Sequence, residues 1–208
     1  MGLYGFYERR IFPHILDVAM RPFAPYRQPV LAEASGKVLE IGFGTGLNLP
    51  CYPAAVTDLT TADPMTAVPR ALQRRLDAAR FPIHRHLLAV DAGLPFESQS
   101  FDCVTVTWTL CSVPDPVAGL REMLRVLRPG APMLFVEHGR SDNPRTQRWQ
   151  DRLNGPWKIL GCGCHLNRAM DEIIEEAGFR IDRLKRFDVS GLPRTHGHLY
   201  LGKAIAPR

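Results

Sequence analysis

The sequence is poor in lysine, has no run of like charge and has no long apolar stretch. Lysine occurs only at Lys37, Lys158, Lys185 and Lys203, among 26 basic and 21 acidic residues in a chain of 208. The excess of +5 is therefore carried by arginines spread along the chain, and no five like charges stand together. That excludes a basic arm or tail. It also argues against a nucleic-acid-binding protein, which needs a clustered basic face interleaved with aromatics. No stretch approaches the roughly 18 uncharged apolar residues of a membrane span, so none is expected. The first 36 residues include Arg9, Arg10, Asp17 and Arg21 and show no apolar core followed by a small-residue cleavage site, so no secretory signal is read there. Cysteine is sparse and odd in number (Cys51, Cys103, Cys111, Cys162 and Cys164), which points to reduced thiols in a cytoplasmic protein. No internal repeat or low-complexity tract is present. With 45% hydrophobic and 23% charged residues, collagen, coiled coil and long disorder are excluded.

One domain is expected over residues 1–208, since domains run to roughly 100–200 residues. Residues 4–20 read as a helix ended by Pro22 and Pro25. Strands are expected at 37–41, 56–62, 86–90, 101–108 and 133–137. Helices are expected at 67–80, 116–127 and 168–177, with a short one opening at Leu47 and cut by Pro50 and Pro53. Residues 141–167 carry two tryptophans and many polar residues without a clean period. Two last strands, 179–188 and 198–206, are separated by a short Gly/Pro segment. The alternation of strand and helix predicts an α/β fold: a doubly wound, mostly parallel, seven-stranded sheet of Rossmann-like type, with the last two strands as an antiparallel hairpin at one edge.

The most informative segment is Glu40-Ile41-Gly42-Phe43-Gly44-Thr45-Gly46-Leu47-Asn48. It lies between a strand and a helix, where ligands approach the carboxyl end of such a sheet. Its spacing is G-x-G-x-G, whereas the dinucleotide fingerprint needs Gly or Ala where Leu47 stands, so a nicotinamide dinucleotide is disfavoured. Glu40 would face a pyrophosphate unfavourably and suits a cationic ligand or an amino group. Asp63 follows the second strand and can accept from two ribose hydroxyls, or serve as a helix cap. Asp91 follows the third and can accept from an adenine amino group, or serve as a turn residue. Three acids at the ends of three successive strands are more specific than any one alone.

These residues resemble the class I S-adenosylmethionine-dependent methyltransferases over about residues 35–140. Leu94-Pro95-Phe96, Phe101-Asp102-Cys103-Val104 and Leu124 to Gly130 extend the likeness. A narrower resemblance, over roughly residues 57–206, is to the methyltransferase-like thiol S-methyltransferases. It rests on Leu110-Cys111-Ser112-Val113, Glu137-His138, Pro156-Trp157-Lys158, Gly161 to Arg168 and His196 to Ala204. Those relatives methylate alkyl thiols and hydrogen sulfide and carry an apolar N-terminal anchor that this sequence does not show.

The resemblance implies S-adenosyl-L-methionine as cofactor and a small-molecule acceptor. It places Gly42, Gly44 and Gly46 around the methionine moiety, with Glu40 orienting the loop. Asp63 would hold the ribose and Asp91 the adenine edge, with Phe43 and Leu94 on the ring. Asn48, Pro64, Ala92 and Thr107 complete the cofactor set. Residues 36–138 would be the cofactor core, 1–35 a helical lid and 139–208 the acceptor side. The acceptor is expected beyond the fourth strand, near Thr107, Trp108 and Cys111. Tyr7, Cys111 and His138 are the candidate catalytic residues: Tyr7 and Tyr4 on the lid, Cys111 beside the acceptor, and His138, with His165 as an alternative, as base. Trp108 and Trp157 read as core rather than pocket. Cys162-Gly163-Cys164-His165 places its donors too close together for the usual zinc spacing and finds no second cluster in the sequence, so no metal is expected. A thiol acceptor is favoured, with a nitrogen, oxygen or carbon centre of a lipid or aromatic metabolite as the alternative. A non-catalytic cofactor-binding module is the reading outside enzymes.

Overall fold

Four strands are rich in apolar and β-branched residues and largely buried, the pattern of strands covered on both faces. They are β1 (Gly36–Ile41), β2 (Val56–Ala62), β4 (Cys103–Thr107) and β5 (Pro132–His138). The computed structural model describes residues 7, 11–66 and 68–208, apart from the side chains of 13 and 14. Strands β3 (Ile83–His86), β6 (Arg180–Asp188) and β7 (His198–Ile205) complete a seven-stranded sheet in the order β3-β2-β1-β4-β5-β7-β6. β7 runs antiparallel to both β5 and β6, and the other pairs are parallel. The expected fold class is therefore the observed one. The strand order reverses between β1 and β4, which opens the ligand crevice of a doubly wound sheet there.

Helices cover both faces. Alternate strand residues Leu39, Ile41, Val104, Val106, Met133 and Phe135 pack under α4 (Pro116–Val126) and α6 (Met170–Glu176). The intervening Val38, Cys103, Leu134 and Val136 pack with Val30 and Leu31 of α2 (Arg27–Leu31) and Leu72 of α3 (Arg70–Asp77). Asp115 caps α4 by accepting from the Ala118 N–H at 2.9 Å, with Pro116 pre-set in the first turn. Among the described residues no helix is long and apolar enough to cross a membrane.

Several local expectations shift. The third strand lies at Ile83–His86, and Val90–Ala92 forms a 3-10 turn, so Asp91 lies in that turn rather than directly after the strand. Leu47 opens no α-helix; a single 3-10 turn, Leu49–Cys51, is all that Pro50 and Pro53 allow. Only Phe12–Ala19 of the first helix (α1) is assigned among the described residues, and Tyr4 lies outside them. Pro22 and Pro25 do end α1, but the chain continues through a 3-10 turn (Arg21–Tyr26) into α2. The unperiodic segment contains the longest helix among the described residues, α5 (Pro144–Leu160), capped by Asn143 through the N–H groups of Arg145 and Thr146. A four-residue turn of helix, α7 (Arg194–Gly197), leads into β7.

Phe135 is fully buried at the centre of β5. Phe135→Ala is expected to cost about 3–5 kcal/mol in a denaturant melt, as cavity-forming aromatic truncations do. Leu153→Ala, on the exposed side of α5, is expected to shift stability by about 0.5 kcal/mol or less.

Candidate active site

The loop after β1 is shaped by its glycines. Gly42, Gly44 and Gly46 have φ of +76°, +53° and +73°, a region costly for residues with a Cβ. At Gly42 a Cβ would also overlap the Thr109 hydroxyl, because the loop after β4 comes directly against it. Thr109 Oγ1 donates to the Ile41 carbonyl at 3.3 Å. With no Cβ at these positions, the backbone admits close approach of a ligand at the strand-order reversal.

Beneath the loop, Glu40 is buried in a polar network. Its carboxylate accepts from Asn48 Nδ2 and from the Tyr52 hydroxyl, each at 2.9 Å. Tyr52 also shares a hydrogen bond with Thr105 at 2.7 Å, and Asn48 Nδ2 donates to Thr107 Oγ1 at 3.0 Å. Arg27 enters from α2, donating to Asn48 Oδ1 at 2.6 Å and Thr107 Oγ1 at 3.2 Å while lying over the Trp108 ring. Burial pushes Glu40 up to about 8, against the opposing effects of Tyr52, Asn48 and Arg27. A protonated Glu40 can donate to Tyr52 while Tyr52 donates to Thr105, so the network holds the neutral acid without a broken contact.

Asp63 stands one residue beyond β2. Its two oxygens accept from Gly44 N at 2.7 Å and Met65 N at 2.6 Å. Each oxygen keeps a further lone pair, which matches two adjacent hydroxyls of a ribose. Burial raises its carboxyl above the ordinary range, partly offset by those two amides. Asp91 is half-buried and accepts from Asp115 N at 3.3 Å. α1 lies on this loop. Leu16 comes within 3.7 Å of a Cβ built at Gly44, and Asp17 accepts from the Thr45 hydroxyl. Arg75 of α3 ties both together, bonding Asp17 and the Thr45 carbonyl at 2.8 Å each.

The ends of β4 and β5 carry a second set. Trp108 is held at φ +49°, strained backbone for an aromatic residue. The Glu137 carboxylate fixes the following turn by accepting from Thr109 N at 2.7 Å and Leu110 N at 2.9 Å. Burial raises Glu137 to about 7. Arg168 clamps the same turn through the Leu110 and Val113 carbonyls. Cys111 is buried there. His138 Nε2 lies 3.3 Å from Cys164 Sγ, which also accepts from Trp157 Nε1 at 3.3 Å. His165 donates its backbone N–H to the Cys111 carbonyl, while burial, with Arg168 and Lys158 near, pushes its ring down to about 4. Such a ring is a poor proton acceptor near neutrality. His138 is raised, because Cys111 and Glu137 outweigh the effect of its burial.

Of the residues singled out in the sequence, Glu40, Asn48 and Thr107 meet in one network, and Asp63 meets Gly44. Cys111 meets His138. Pro64 and Ala92 make no side-chain hydrogen bond and sit on the rims beside Asp63 and Asp91. Phe43 is buried with Leu49 and Leu72 under the loop, and Leu94 is also core. Tyr7 donates to the Leu160 carbonyl at 2.9 Å, at the end of α5. Trp157 combines packing with a hydrogen bond to Cys164, whereas Trp108 packs against Phe23 under the Arg27 guanidinium. The sequence reading missed Arg27, Tyr52 and Cys164 as site residues. For Arg27 nothing in local spacing marks one arginine among many as buried; Tyr52 carried only its nearness to the glycine loop.

Residues 39–135 match the family described as a methyltransferase domain, a span that holds the glycine loop, Asp63 and Asp91. Over this span the chain carries a methyltransferase domain of the S-adenosylmethionine-dependent class. Within that class it is 34% identical over 145 residues to thiol S-methyltransferase TMT1B of Rattus norvegicus, covering 68% of this chain and 59% of that protein. It is 37% identical over 106 residues to phosphatidylethanolamine N-methyltransferase of Cereibacter sphaeroides, covering 50% and 51%. The chain thus spans about three fifths of the length of the thiol S-methyltransferases that it matches. The crystal structure of N-methyltransferase NodS from Bradyrhizobium japonicum WM9 in complex with S-adenosyl-L-homocysteine shares the fold at a TM-score of 0.63 and 20% identity, over 91% of this chain and 87% of that one.

Because Glu40 titrates near 8 when folded and near 4.5 otherwise, its contribution to stability is complete below about pH 4.5 and is lost as the pH rises to about 8. Glu40→Gln mimics the neutral acid. Thermal melts at pH 5 and pH 8 are expected to show a loss on the order of a few kcal/mol between the two for the natural chain, and a clearly smaller loss for Glu40→Gln. Parallel pH profiles for the two proteins contradict the assignment.

Proposed function

We propose that the chain is an S-adenosylmethionine-dependent methyltransferase whose acceptor is a small thiol. The observation that carries the cofactor reading is the grouping of Glu40, Asp63 and the positive-φ glycines at the strand-order reversal, with Asp91 on the next loop. The residues fit this cofactor: a backbone cradle without Cβ atoms, a carboxylate with two free lone pairs for ribose hydroxyls, and acids rather than the cations that a pyrophosphate would need. The thiol reading is supported by the similarity to thiol S-methyltransferases of rat, mouse and human. A lipid amine as acceptor is the second reading, favoured by the lipid N-methyltransferase similarity.

When bound, the cofactor supplies an activated methyl group on a sulfonium, open to in-line displacement. The chain's contribution is positioning and exclusion of water. Asp63 would hold the ribose, Gly42 to Gly46 the amino-acid portion, and Asp91 the adenine edge. Glu40 acts through Asn48 to hold the loop and, with Arg27, Thr107. α1, latched by Asp17 to Thr45 and Arg75, covers the loop. Tyr7 bridges the N-terminal segment to α5 as part of the lid. At the ends of β4 and β5 the acceptor would lie beside Cys111, with His138 placed to take its proton. An ordinary thiol has a pKa near about 8.5, so a few per cent is already thiolate at neutral pH and the demand on a base is modest.

Asp63→Ala is expected to weaken S-adenosylhomocysteine binding by about 1–3 kcal/mol in calorimetry; unchanged affinity removes Asp63 from the site. The substrate class is tested by release of S-adenosylhomocysteine with hydrogen sulfide, alkyl thiols, phenols, amines and phosphatidylethanolamine vesicles. Turnover confined to thiols is expected. Turnover confined to the lipid replaces this reading with the second one.

A further inference from the structure

The acceptor end of the sheet also assembles a donor set that methyl transfer by itself does not require. Cys111 follows β4, His138 ends β5, and Cys164 lies in the loop after α5. One ligand atom of each nevertheless lies within 4.8 Å of the other two. The chain neighbours Cys162 and His165 are not in this group. We propose that Cys111, His138 and Cys164 bind a zinc ion, and that its fourth coordination position receives the sulfur of the acceptor. The second half of this proposal rests on the thiol reading above.

Tetrahedral zinc, with Zn–S of about 2.3 Å and Zn–N of about 2.0 Å, sets its ligand atoms about 3.5–3.8 Å apart. The three atoms lie within 4.8 Å of one another, with 3.3 Å between His138 Nε2 and Cys164 Sγ, so small side-chain adjustments bring them to that spacing. The two protein thiolates neutralise a divalent ion, so the metal-loaded site carries no net charge into the interior before the acceptor binds, which limits the cost of burial. Thiolate and imidazole donors select zinc over magnesium or calcium. Three protein ligands also leave one position open, as in catalytic rather than structural zinc sites.

The surroundings hold the ligands in place. Glu137 and Arg168 fix the Leu110–Val113 turn, the His165 N–H holds the Cys111 carbonyl, and Trp157 donates to Cys164 Sγ. Such outer contacts orient metal ligands and stabilise a thiolate. The site adjoins the cofactor loop through Thr109, two residues before Cys111 and in contact with Gly42. Binding of the acceptor breaks its S–H bond, forms an S–Zn bond and releases the proton to water, since a coordinated thiol is deprotonated. With the metal bound, His138 serves as a ligand in place of the base role given to it above, and no protein base is needed.

The test uses the full chain, purified under reducing conditions, with zinc measured by mass spectrometry of the metal and Co²⁺ substituted as a spectroscopic probe. Expected are one zinc per chain and a cobalt spectrum with sulfur-to-cobalt charge transfer. In Cys164→Ser and Cys111→Ser the metal affinity should fall at least tenfold, whereas Cys162→Ser should retain it. S-adenosylhomocysteine calorimetry shows that each variant is folded, and its affinity is expected to change less than twofold in Cys164→Ser. A chain without zinc that gives no cobalt spectrum overturns the site. So does equal metal retention in Cys111→Ser and Cys164→Ser, or recovery of a Cys111–Cys164 disulfide in place of metal. Addition of an alkyl thiol should shift the cobalt spectrum. An unshifted spectrum at thiol concentrations that support turnover overturns the role of the fourth position. Metal binding without any thiol turnover overturns that role through the thiol reading, and leaves the zinc site standing.

Discussion

A carboxyl group buried on β1 holds this end of the molecule together. Glu40 lies one residue before the end of its strand, has almost no exposed surface, and accepts from two side chains that themselves reach further elements. Asn48 carries its influence to the loop and to Thr107 of β4. Tyr52 carries it to Thr105 of β4. Arg27 brings α2 against the same group. Removing an acid from water is costly unless every lone pair is matched. The network therefore forms as a whole, and with it the spacing between the glycine loop and the neighbouring strand. That spacing makes the crevice usable for a ligand.

The second constraint is the crowding of Gly42 against Thr109. Because no Cβ fits between them, the loops after β1 and β4 are held in contact. Groups after β4 are thereby brought beside groups after β1, and the Glu137 carboxylate fixes that arrangement from β5. Cofactor contacts and acceptor contacts are thus two sides of one packed seam. This placement lets residues from three distant segments act on a common centre.

Much of the fold was legible in the sequence because the central strands are buried on both faces. Unbroken apolar and β-branched runs such as Val104 to Thr107 announce such strands directly. The third strand was misplaced because the strand that pairs with β2, Ile83–His86, is mostly polar, whereas the apolar run 87–90 that marked it in the sequence lies just after it. The α5 segment was not assigned because its face toward the protein is polar. Gln150, fully buried, bonds the Gly139 and Thr195 carbonyls and the Ser141 N–H, so hydrophobic periodicity had no signal to give.

The site divides in the same way. By itself, the sequence determined the glycine loop, the acids Glu40, Asp63 and Asp91, and the order of the elements that carry them, because strand-to-helix turns and strand ends are local features of the chain. Only the tertiary structure decided that Arg27 is a buried partner of Asn48 rather than one more surface arginine. It also decided that Phe43 faces the core, and that Cys164 joins Cys111 and His138 instead of its neighbours Cys162 and His165. Those decisions depend on which strand lies beside which and how helices cross the sheet. Such contacts join residues tens of positions apart, and no local period or spacing encodes them.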